Sequence, residues 1–112
     1  MDYKVGLTDA AQADLGAIVQ FLAEKNPEAA EKIGNELLDA ALTLTLFPRR
    51  GTAVRRRPGL RKLSHRYYLI FYQVNEAAHW VEIVRLWDGR QAPGTLHLPH
   101  AAPKTMRPDS ID

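Results

Sequence analysis

The chain has 112 residues, no cysteine, 46% hydrophobic residues and a formal net charge of +2. One domain fits this length, and disulfide and thiolate chemistry are excluded. No run approaches the roughly 18 apolar residues of a membrane span, and Met1–Lys4 lead into no apolar core of a secretory leader, so a cytoplasmic protein is expected.

Tyr3–Leu7 alternates apolar and other residues and predicts a short first strand. Thr8 stands where an N-cap belongs, with Asp9 in the first turn of a helix. Ala11, Leu15, Ile18, Val19 and Leu22 recur at helical spacing, which carries this helix to about Lys25. Asn26-Pro27 stops it and restarts another, because proline suits the first position of a helix and Asn26 can cap it. Ala30, Ile33, Gly34, Leu37, Leu38, Ala41 and Leu44 form the apolar face of the second helix as far as Phe47-Pro48. So short a link folds the two helices into an antiparallel hairpin, in which Gly34 allows a close approach.

Residues 48–59 read as a loop of proline, glycine and arginine. Residues 60–65 and 67–74 read as strands, the second rich in aromatic and β-branched types. A turn at residues 75–78 leads to a last strand at 79–87. Residues 91–112 contain four prolines and little periodicity, and read as a disordered tail after a domain spanning 1–90. The order is β-α-α-β-β-β, an α+β fold in which a small antiparallel sheet is covered on one face by the N-terminal helical hairpin. Tyr67, Tyr68, Tyr72, Trp80 and Trp87 are more aromatics than two short helices can cover, which points to a partner surface.

Charge is unevenly distributed. Residues 1–47 carry eight acids and three bases, whereas residues 48–72 carry eight bases and no acid. A basic surface on a compact body suits nucleic acid or an acidic protein partner. Arg49, Arg50, Arg55, Arg56 and Arg57 are therefore candidate contact residues, joined by Tyr68 and Trp87 on the strands. The histidines are scattered, no metal-ligand spacing occurs, and no cofactor is expected.

Six fragments together resemble the ParE/RelE superfamily of toxins from type II toxin–antitoxin systems. They are Leu7-Thr8 through Asp14-Leu15, Asn26-Pro27-Glu28-Ala29-Ala30, Phe47-Pro48-Arg49-Arg50-Gly51, Gly59 to Leu63, Tyr68 to Val74, and Val81 to Arg90. The resemblance covers about residues 3–91. It implies the β-α-α-β-β-β fold and a cognate antitoxin bound in a hetero-oligomer. Members resembling RelE cleave messenger RNA on the ribosome, and members resembling ParE poison DNA gyrase.

RNA cleavage without a metal needs a base, an acid and cations for the phosphorane charge. Arg61, Arg66, Arg85 and Arg90 are the candidates, with Lys62 and His65 beside them. The alternative for Arg61 and Arg85 is an ion pair with a helix carboxylate. Two departures weaken the nuclease reading and keep a non-toxic, antitoxin-binding member open, and the first of them, with the modest net charge, favours the gyrase-binding kind. The arginine that follows the central-strand tyrosine in the RNA-cleaving members is Leu69 here, and the histidine before the late glycine is Asp88. The expectation is a non-catalytic, ParE-like toxin. The alternatives are a ribosome-dependent endonuclease and a non-toxic, antitoxin-binding family member.

Overall fold

A computed structural model describes residues 2–91 together with Leu96 and Leu98. The first strand, β1, is Lys4–Leu7. Thr8 then caps α1, Asp9–Ala23, by accepting the Ala11 N–H on its hydroxyl. Asn26 caps α2, Pro27–Leu42, by accepting from the N–H groups of Glu28 and Ala29. Each cap satisfies donors that a helix start leaves without partners. A 3-10 turn, Thr43–Thr45, ends the helical part. Four strands follow: β2 (Thr52–Ala53), β3 (Leu60–His65), β4 (Tyr68–Asn75) and β5 (Trp80–Asp88).

The sheet order is β1-β5-β4-β3-β2. The fold class is the α+β arrangement that the pattern predicts, with two additions. β1 runs parallel to β5, Val5 opposite Val81 and Leu7 opposite Ile83, so the sheet is mixed. The predicted loop also contributes the two-residue edge strand β2, paired with Arg61 and Lys62. Neither is visible in periodicity, since the first partner lies at the far end of the chain and the second is too short to show alternation.

The core lies between the helical hairpin and one face of the sheet. Ala11, Leu37, Ala41 and Leu44 pack there against Leu63, Tyr68, Ile70, Tyr72, Val81, Ile83 and Leu86. Gly34 is buried, and a Cβ on it would lie 3.1 Å from Cγ2 of Val19, so the helices do approach closely at that glycine. A smaller cluster sits on the other face: Leu60, Phe71 and Val84 are buried under Val54, Leu69, Trp87, Leu96 and Leu98. The register of β4 on β5 shifts between Phe71 and Tyr72, which inserts Val84 as an extra residue and turns it to this second face. The tail expected to be disordered, residues 91–112, lies outside the described residues apart from Gln91 and these two leucines.

Two of the aromatics expected at a partner surface are core residues. Tyr68 and Tyr72 are 2% and 0% exposed, because the β4 alternation turns them under the helices with Ile70. Trp80 and Trp87 are half-buried, and Tyr67 is exposed.

Candidate functional site

Arg85 projects from β5 toward α1. Its Nε donates to Oδ2 of Asp14 at 2.6 Å and its Nη2 to Oδ1 at 3.0 Å. The same carboxylate accepts the backbone N–H of Leu86 at 3.0 Å. β1 covers one edge of β5 only as far as Ile83, so beyond that residue the backbone has no strand on that edge and pairs with β4 alone. Helix α1 takes over there: the Thr8 hydroxyl donates to the Val84 carbonyl, and Asp14 accepts at Leu86. The ion pair is thus part of the seam between helix and sheet edge, and the hydrogen bond to Asp14 raises the Arg85 pKa.

Arg66 and Arg90 both lie near the tip of the β3–β4 hairpin, each with its own carboxylate. Arg66 occupies the two-residue turn at φ 56° and donates to Glu36 on α2 from Nε at 2.8 Å and Nη2 at 3.2 Å. His65 Nε2 lies 2.7 Å from the same carboxylate. The Arg66 hydrogen bond, then that of His65, holds the Glu36 carboxyl at about 2. Arg90 grips Asp88 through Nε at 3.0 Å and Nη2 at 2.7 Å. Its guanidinium also stacks 3.7 Å over the Tyr67 ring. Arg90 holds the Asp88 carboxyl below the ordinary range, so Asp88 is a stable anion.

Among the described residues Arg61 has no carboxylate partner. Its guanidinium donates to the carbonyls of Gly51 (2.7 Å from Nη2, 3.1 Å from Nε) and Arg49 (3.1 Å). It clamps the start of the basic loop onto β3. Gly51 explains its own identity here: a Cβ would come 2.5 Å from the Lys62 carbonyl and 2.8 Å from the Tyr72 hydroxyl. That hydroxyl accepts the Gly51 N–H at 2.9 Å. The helix-carboxylate alternative therefore holds for Arg85, while Arg61 is an anchor of backbone.

The four cations do not converge. Arg61 and Arg85 flank β4, opposite Tyr72 and Phe71, and reach in opposite directions, toward the loop and toward α1. Arg66 and Arg90 are held at the hairpin tip. Leu69 belongs to the second apolar cluster with Phe71 and Trp87, where a cation would be poorly solvated. Tyr68 is buried, and desolvation pushes its hydroxyl up to about 12. Trp87 lies within the second apolar cluster. His79 sits in the β4–β5 turn at φ 51°, against the Tyr3 ring. His97 and His100 are outside the described residues. Among the described residues, no group of three His, Asp or Glu side chains could hold a metal ion.

The arginine loop consists of two tight turns. The Arg57 N–H donates to Val54, and the Leu60 N–H donates to Arg57 across Pro58-Gly59, with Gly59 at φ 90°. Proline followed by a left-handed glycine is the type II pattern. Arg56 adopts φ 64° in the first turn, a conformation that disfavours a side chain. Arg55 and Arg56 are exposed and Arg57 half-buried. None of the three guanidinium groups has a hydrogen-bond or ion-pair partner among the described residues. Arg49, by contrast, pairs with Glu76, and Arg50 donates to the Thr43 hydroxyl. Beside them runs an exposed apolar strip along α2 and its 3-10 turn: Leu38, Leu42, Leu46 and Phe47.

The family model described as ParE toxin of type II toxin–antitoxin system, parDE, matches residues 5–93. The chain belongs to the ParE toxin family. Toxin RelE1 of Caulobacter vibrioides is 33% identical over 94 residues, 80% of this chain and 96% of that protein. Two solved structures share the fold. The chromosomal ParDE toxin–antitoxin system of Pseudomonas aeruginosa aligns with a TM-score of 0.63 and 23% identity, over 75% of this chain and 92% of the other. The RelBE2 toxin–antitoxin complex of Mycobacterium tuberculosis aligns with a TM-score of 0.58 and 22% identity, over 77% and 96%.

In this ParE family toxin, Asp14 and Glu36 are structural partners that sequence reasoning gave no role. Asp14 stood inside the recognised N-terminal fragment, but its partner lies 71 residues away and no local spacing shows it. Gly6 is a further missed position, since a Cβ there would overlap the Trp80 ring at 2.3 Å.

Proposed function

We propose that this toxin acts by binding DNA gyrase rather than by cutting RNA, and that a cognate antitoxin neutralises it in a hetero-oligomeric complex. The observation that carries this reading is the engagement of all four candidate catalytic arginines. Arg66, Arg85 and Arg90 are each neutralised by a carboxylate, and Arg61 is spent on backbone carbonyls. Stabilising a pentacovalent phosphate needs donors aimed at one point and not already satisfied. Leu69 supplies no cation, and Asp88 is held by Arg90 rather than free to act as a base.

The antitoxin reading is supported by the family membership and by relatives described as toxin–antitoxin systems. The exposed strip of Leu38, Leu42, Leu46 and Phe47 beside Arg49 and Arg50, with Arg55, Arg56 and Arg57 nearby in sequence, suits a segment carrying both apolar and acidic residues. The deciding experiment induces the protein alone in bacteria and follows labelled thymidine and methionine incorporation through the first minutes. Thymidine incorporation failing first supports the gyrase reading, and purified gyrase should then lose supercoiling activity when the protein is added. Methionine incorporation failing first would overturn it in favour of mRNA cleavage. Continued growth with neither affected would assign the chain to non-toxic antitoxin binding.

A further inference from the structure

The second face of the sheet lies away from the helices, yet Leu60, Phe71 and Val84 on it are only 1%, 4% and 4% exposed. Helix packing does not account for that burial. The residues that cover them are Val54, Leu69 and Trp87 on the sheet side, and Leu96 and Leu98 from beyond the last strand. The two leucines are half-buried themselves. They stand two residues apart, so their side chains can serve one face if the backbone there runs extended. Pro99 follows Leu98 and disfavours helical backbone at Leu98, which narrows the conformations lost when the segment docks.

We propose that the second face of the sheet is a peptide-binding groove whose resident occupants are two of the chain's own residues, Leu96 and Leu98. The groove is apolar at its floor and takes an aliphatic pair. Lys62 and Ser64, exposed on β3, share this face with Leu60 and stand opposite Phe71 and Leu69, giving the groove one polar margin. The segment closes in the free protein a face that would otherwise present Leu60, Phe71 and Val84 to water, a contiguous patch prone to association. Any protein that uses this face must displace it. The inference does not depend on the cellular target.

Trp87 lies in the cluster and reports on it. The full-length chain carrying Leu96→Asp and Leu98→Asp should keep its far-UV circular dichroism and a cooperative thermal transition. Its tryptophan emission should shift to the red, acrylamide quenching should rise, and the apolar dye ANS should bind several-fold more than to the wild type, whose exposed strip on α2 sets the baseline. A synthetic peptide of residues 91–101 should reverse all three changes, and the same peptide with both leucines replaced by aspartate should not. Should the double variant lose its fold, the single changes Leu96→Ala and Leu98→Ala should give graded, smaller shifts in the same direction. Emission, quenching and dye binding that match the wild type in a folded variant would overturn the proposal. So would dye binding suppressed only by concentration-dependent self-association, which would give the face to a second copy of the chain.

Discussion

Replacing Asp14 with alanine should be among the most destabilising polar changes in this protein. The carboxylate accepts three hydrogen bonds, two from Arg85 and one from the Leu86 N–H. Removing one member of a fully buried ion pair costs about 3–5 kcal/mol. The side chains of Arg85 and Asp14 are 22% and 17% exposed, so water screens what remains. The expected loss is therefore about 2–3 kcal/mol, including the Leu86 N–H left without its partner. For a domain of this size that lowers the midpoint of thermal unfolding by roughly 10–20 °C. Urea unfolding of the wild type, Asp14→Ala, Arg85→Ala and the double variant would isolate the pair. A coupling of about 1–3 kcal/mol is expected between residues in direct contact. Asp14→Asn keeps an acceptor for Leu86 and should fall between wild type and alanine. Additive single effects, or a loss for Asp14→Ala within about 0.5 kcal/mol, the range of ordinary surface changes, would refute the seam argument and free Arg85 for another role.

Other expectations follow from the same geometry. The Glu36 carboxyl titrates at about 2 in the folded chain, below the ordinary value of about 4.3, so its stabilisation is present above the ordinary value and is lost as pH falls through about 2. Glu36→Gln should therefore flatten stability measured between pH 5 and pH 2, and an unchanged slope would count against the link between α2 and the hairpin tip. Gly51→Ala should cost about 1–3 kcal/mol by forcing the loop off the Lys62 carbonyl, as read by chemical unfolding. Arg56→Gly should stabilise the chain by up to about 1 kcal/mol, because glycine accepts the left-handed backbone there. Exchanging Arg55, Arg56 and Arg57 for glutamate should weaken antitoxin binding more at low salt than at high salt in calorimetric titrations. Equal affinity at both would remove the loop from that interface.

The helices, their caps and the three long strands were legible because each is written locally. Thr8, Asn26-Pro27 and the apolar faces of both helices announce themselves within a few residues. The pairing of β1 with β5 was not legible, because its partners are separated by most of the domain. The candidate arginines were legible as a set of cations, but their employment was not. A charge in sequence carries no sign of whether a carboxylate waits for it across the fold, and Asp14 and Glu36 do so from helices whose other faces drew the attention. Tyr68 misled for a related reason. An aromatic-rich strand says that both faces are covered, and only the register decides which tyrosine lies under the helices.

The position of β1 has a consequence for the timing of synthesis. Among the described residues its strand neighbour is β5 alone, and the Thr8 hydroxyl that starts α1 is fastened to Val84, 76 residues later. A growing chain can wind its two helices early, but it has nowhere to lay its first strand until the last one has been made. Non-local closure of this kind is also the slow part of folding. A ribosome-bound fragment therefore lacks the finished sheet, and the cell meets a complete toxin only after translation of the domain is over. That delay is time in which an antitoxin already present can be waiting.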